Sequence, residues 1–198
     1  MSARSVKAFA PASVSNLGPG FDVLGVAVEK PGDFVLARRK ETPGLLFSVQ
    51  TAQAQVPQDP RKNVAAYVAN LMLEELKPSF GIELSLQKSM PIGSGLGSSA
   101  ASSVAAAMAV NALLKKPLHK PELLRFALEG ERFACGSVHA DNAAPSLLGG
   151  AFKDCIIFFN LFQGIFIPCK CIIIRLTQIS GLCQKSLKNL DKSSWLCA

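Results

Sequence analysis

The sequence predicts an α+β domain over residues 1–153, on three observations. Short alternating apolar segments such as Ile82–Gln87 carry the period-2 pattern of half-buried strands. Longer segments, Asn63–Leu76 and the Ala-rich Ser98–Leu114, carry helical spacing or strong helical propensity. The two kinds mix along the chain without strict alternation, which places it in the α+β class.

Taken in order, Ser5–Phe9 alternates and reads as a short strand. Pro11–Gly20 is rich in Ser, Asn, Gly and Pro and reads as a loop. Phe21–Glu29 is apolar enough for a strand, closed by a turn at Pro31-Gly32. Phe34–Arg38 and Leu45–Val49 read as strands around the Thr42-Pro43-Gly44 turn. Asn63 is placed to N-cap a helix whose apolar stripe is Val64, Tyr67, Val68, Leu71 and Met72. Ser98–Leu114 contains no Gly or Pro and predicts a second helix. Pro121 suits the first turn of a third, Pro121–Arg132.

Between the Ile82–Gln87 strand and the Ala-rich helix lies Pro91-Ile92-Gly93-Ser94-Gly95-Leu96-Gly97-Ser98-Ser99-Ala100-Ala101. Glycines at alternate positions let the backbone bend and approach a ligand closely. The following helix points its unpaired N–H groups and positive dipole end back at the loop. Together these make an anion site suited to a polyphosphate, with serine hydroxyls as added donors or magnesium ligands. A flexible connector would explain the glycines but not the helix directly behind them. The loop lacks the Gly-Lys-Ser/Thr close of a Walker A sequence and the spacing of a dinucleotide fingerprint.

Other candidates stay open on the residues alone. Asn16 and Asp22 fit turn-stabilising roles, or an amide and a carboxylate holding a zwitterionic amino acid. Glu131, beside Glu129, fits a solvated helix face or a metal site. His139, Asp141 and Asn142 form a polar cluster among small residues; a lone His is more often structural. The formal charge of +7 comes from scattered cations and short runs such as Arg38-Arg39-Lys40. No basic run interleaved with aromatics exists, so nucleic acid is not an expected partner. The N-terminus does not read as a secretory signal.

Composition breaks near Lys153. Five of the six Cys (Cys155, Cys169, Cys171, Cys183 and Cys197) and eight Ile follow it, whereas Ala, abundant before, does not recur until Ala198. Residues 154–198 therefore read as a Cys/Ile-rich tail that is not a domain, as from translation past a splice boundary or a frameshift. Their longest uncharged run, Cys155–Cys169, contains Asn160, Gln163, Gly164 and Pro168 and falls short of the about 20 apolar residues of a membrane span. Cys169 and Cys171 have no second pair at zinc spacing.

Three separated segments resemble homoserine kinases of the GHMP kinase family. They are Lys7–Gly25, which contains Ser13-Val14-Ser15-Asn16-Leu17-Gly18-Pro19-Gly20-Phe21-Asp22; the Pro91–Ala101 loop; and Glu131 followed by Gly136-Ser137-Val138-His139-Ala140-Asp141-Asn142 through Gly149-Gly150. The resemblance implies a ribosomal-protein-like fold for residues 1–153 and the GHMP N-terminal, ATP-binding domain. It implies ATP contacts from Pro91, Gly93, Ser94, Gly95, Leu96, Gly97, Ser98, Ser99, Ala100 and Ala101, with Asn63 near the adenine. It implies magnesium at Ser99 and Glu131, and L-homoserine at Asn16, Asp22, His139 and Asn142, with no residue assigned as a catalytic base. The implied reaction makes O-phospho-L-homoserine on the threonine route. The implied setting is cytoplasmic, or a plastid for a plant parent, with a possible homodimer and no membrane partner. The family's ferredoxin-like second domain, with its Gly-Ser-Gly-Pro motif and substrate arginines, is not recognisable in residues 154–198. The alternative expectation is a truncated, catalytically impaired fragment that at most binds ATP.

Overall fold

The computed structural model describes residues 3–17, 20–138 and 140–153. The expectations for His139 and for the tail from residue 154 lie outside the described residues.

The described residues form five strands and four helices in the order β1 (Ser5–Leu17), β2 (Gly20–Lys40), β3 (Leu45–Gln50), α1 (Val64–Leu76), β4 (Gly81–Gln87), α2 (Ser98–Leu113), α3 (Lys120–Cys135), α4 (Ala140–Leu148) and β5 (Ala151–Lys153). The sheet order is β1-β2-β4-β3, with β5 also on β2. All pairings are antiparallel except β3 with β4, which are parallel and joined through α1.

The sheet differs from the sequence reading in its first two strands. Pro11–Gly20 is not a loop through Leu17; it continues β1. The turn expected at Pro31-Gly32 lies inside one long strand, β2. The Pro and Gly residues sit where pairing slips: Pro11 pairs with Gly32, and the next pair is Ser13 with Ala27. Proline is tolerated at such an irregularity because no ladder N–H is required of it. Pairing with β2 thus overrides the local preference.

The helices cover one face of the sheet. Ala8 and Ala10 of β1, Val35 and Ala37 of β2, and Ile82, Leu84 and Leu86 of β4 alternate into a core shared with Val68, Met72, Val104, Val110, Leu113 and Phe126. Helix α2 is at the centre. Its small side chains are buried around most of its circumference, including Ala100, Ala101, Ala105, Ala106, Ala107 and Ala109, so neighbouring elements approach closely. Tight packing of this kind leaves little room to relax, and truncating Phe126 there costs about 3–5 kcal/mol.

Helix α4 escapes the sequence reading because Pro145 lies inside it. The ring removes the N–H that would bond the Asp141 carbonyl one turn earlier. That carbonyl lies against Gly25 of β2, where an added Cβ would come within 1.6 Å of the Asp141 oxygen. Glycine at position 25 is what lets α4 seat on the sheet.

Candidate active site: a glycine-serine loop at the head of α2

Gly93, Gly95 and Gly97 all adopt left-handed conformations, with φ of 72°, 72° and 61°. Gly97 is additionally confined: a Cβ there would lie 2.2 Å from Ser13 Oγ and 2.8 Å from Asn142 Oδ1. It occupies the N-cap of α2 without a side-chain cap, and the first turn carries no acidic residue. The leading N–H groups of the helix therefore face the loop unclaimed by a cap or a carboxylate. The loop is also tied to the sheet, since the Ser13 backbone N–H donates to the Leu96 carbonyl at 3.1 Å.

A cleft of about 740 Å³ opens over this loop. Its floor holds Gly93, Ser94, Gly95, Gly97, Ser98 and Ser99. One wall is apolar, from Val56, Pro57, Val64, Ile92 and Phe133, and the Phe133 ring stacks on Tyr67 at 4.4 Å and 13°. Arg61 and Lys62 stand at the rim. Arg61 is forked onto Asp59 through Nε at 3.2 Å and Nη2 at 3.0 Å, and these bonds hold the Asp59 carboxyl below its ordinary range.

Ser99 and Glu131 are brought together although they are 32 residues apart. Ser99 Oγ donates to Glu131 Oε1 at 2.8 Å, and Glu131 is buried on α3 rather than solvated. Asn63 lines the cleft while capping α1: Oδ1 accepts from the Ala65 N–H at 3.0 Å and Nδ2 donates to the Pro57 carbonyl at 2.9 Å. Asn142 lies at the foot of the cleft. Its Oδ1 accepts from Ser13 Oγ at 2.9 Å and its Nδ2 donates to Ser15 Oγ at 3.0 Å, which anchors α4 to β1. Asn16 belongs to β1 and Asp22 to β2, between the pairs Ser15–Gly25 and Leu17–Gly20. They thus share the hairpin end next to Ser13 and Ser15. Leu96, Ala100 and Ala101 pack toward the core, and Pro91 stands exposed at the loop's start.

Several residues of the site carry no sequence signal. Lys88 and Asp33 form a buried ion pair beneath the loop, with side chains 4% and 0% exposed. Burial pushes the Lys88 ammonium below its ordinary value, against the pull of Asp33. Ser13 and Ser15 matter through strand positions that the loop reading concealed.

Residues 63–150 match the family of GHMP kinases N-terminal domains. The chain carries a GHMP kinase N-terminal domain. This GHMP domain is similar to the homoserine kinase of Chlorobium phaeovibrioides, 46% identical over 157 residues, 74% of this chain and 49% of that relative. Homoserine kinase of Xylella fastidiosa is 45% identical, over 75% of this chain and 46% of its own length. The chain thus spans about half the length of the curated relatives it matches. The crystal structure of homoserine kinase from Cytophaga hutchinsonii superposes with a TM-score of 0.72 at 49% identity, covering 76% of this chain and 48% of that one. A mevalonate kinase from L. major superposes at 0.60 with 19% identity and shares the fold. Among the described residues, no helix is long and apolar enough to cross a membrane.

Proposed function

We propose that this GHMP domain is the nucleotide-binding part of a homoserine kinase. ATP would pass its terminal phosphoryl group to the hydroxyl of L-homoserine, giving ADP and O-phospho-L-homoserine. The observation that carries this reading is the left-handed Gly93–Gly97 loop at the open head of α2, with the Ser99–Glu131 pair at its edge.

The loop and the head of α2 offer N–H groups to the phosphates. The apolar wall of Val56, Pro57, Val64 and Phe133 suits the flat adenine, with Asn63 fixing the segment that bears it. Ser99 and Glu131 would hold magnesium: both are oxygen donors, one anionic, as this hard cation prefers. When bound, magnesium supplies charge neutralisation at the phosphates. The chain's own residues bind and orient. Homoserine would sit at the β1–β2 hairpin end, near Asn16, Asp22 and Asn142, with His139 as a further contact that the family resemblance implies, and Asn142 keeps Ser13 and Ser15 in place. No general base is assigned; positioning carries the transfer. We further propose that residues 154–198 are not domain sequence, and comparing transcript with genome tests whether they arise from a splice boundary or frameshift.

The test is ADP release by the purified chain with ATP, magnesium and L-homoserine. Ser99→Ala should lower turnover by about 10²-fold. ATP binding without turnover would limit this chain to nucleotide binding, and no binding of ATP would sink the reading.

A further inference from the structure

The Lys88–Asp33 pair does more than neutralise itself. Asp33 Oδ1 accepts the backbone N–H groups of Ser89 and Met90, each at 3.1 Å. Its Oδ2 accepts Lys88 Nζ and, at 2.9 Å, Ser102 Oγ. Lys88 Nζ also donates to the Ser98 carbonyl at 2.7 Å and to Ser102 Oγ at 2.8 Å, so all three ammonium donors are engaged. Ser89 and Met90 immediately precede the glycine-serine loop, and Ser98 and Ser102 lie one turn apart at the start of the helix that follows it. One carboxylate on β2 therefore grips the chain on both sides of the loop.

We propose that Asp33 is a positioning residue that fixes the two stems of the glycine-serine loop at the separation required for phosphate binding. A pair needed only for neutralisation would not have to bind two main-chain N–H groups on one side of the loop and, through Lys88, a carbonyl on the other. The grip also explains how a loop with three left-handed glycines holds one shape: its freedom is bounded at both ends. The link to phosphate rests on the nucleotide reading above.

The variant is Asp33→Asn, which keeps an acceptor for the backbone N–H groups but loses the charge. Two readouts are taken at a temperature where wild type and variant are both folded. In titrations with a fluorescent Mg-ADP analogue, affinity should fall about tenfold or more. In hydrogen exchange without nucleotide, faster exchange should be confined to residues 89–102. Ser102→Ala leaves the charges paired, serves if Asp33→Asn does not fold, and should show the same local pattern with a smaller loss of affinity. Affinity within about twofold of wild type in a folded variant would overturn the proposal. So would exchange that rises equally across α1 and α3. If the wild type itself fails to bind the analogue, the nucleotide reading has failed, and the exchange measurement alone decides the grip.

Discussion

Two cation–aspartate pairs flank the cleft, and they are unlike in every respect that sets energy. Lys88 and Asp33 are 55 residues apart in sequence, sealed from water, and tie together β2, residues 88–90 and the start of α2. Arg61 and Asp59 are two residues apart, and the Arg61 side chain is 87% exposed. Charge pairing alone therefore says little. An exposed pair is screened and gains little, whereas a buried pair must satisfy all its donors or destabilise the fold.

Breaking the buried pair from one side should give the largest effect. Asp33→Leu leaves the Lys88 ammonium without its anion, and stability should fall by about 3–5 kcal/mol in denaturant titration. A loss below about 1 kcal/mol would mean that Lys88 reaches water or sheds its proton at little cost. An intermediate effect is expected between the two pairs. Asn63→Ala removes the α1 cap and the bond that holds Pro57 near the rim; it should cost about 1 kcal/mol by the same measurement.

The smallest effect belongs to the rim. The bonds from Arg61 hold the folded Asp59 carboxyl below the ordinary carboxylate range, so its contribution is present above that range and lost as pH falls through the lowered value. Asp59→Asn should leave the melting midpoint at pH 7 within about 2 °C of wild type, and should flatten its acid dependence only below the unfolded carboxylate range. A large shift at neutral pH would mean that the exposed pair behaves like the buried one.

The same contrast explains what could be read from the chain beforehand. Helix α2 was legible because its Ala-rich run has strong intrinsic propensity, and β4 because its alternation is strict. The glycine-serine loop was legible because its signal is contiguous. Ser99 and Glu131, 32 residues apart, share a hydrogen bond that the residues alone do not announce. The long pairing of β1 with β2 was hidden because Pro11–Gly20 has loop composition, and only partner-strand hydrogen bonds outweigh it. Helix α4 was hidden by Pro145, whose cost is absorbed by packing against β2. Asp33 was hidden for a different reason. It sits beside Pro31-Gly32, where an Asp reads as turn chemistry, and its partners lie 55 to 69 positions away.

Gly25 has leverage well beyond its own strand. Its missing side chain sets how deeply α4 can seat, and α4 carries Asn142, which meets Ser13, Ser15 and the space beside Gly97. Any larger residue at position 25 would lift the helix and, through it, unseat the floor of the cleft from behind. Replacing Pro145 would restore an N–H and draw the Asp141 carbonyl back into its helix. Positions 25 and 145 are thus two halves of one fitting, and a change in either is best tolerated alongside a change in the other.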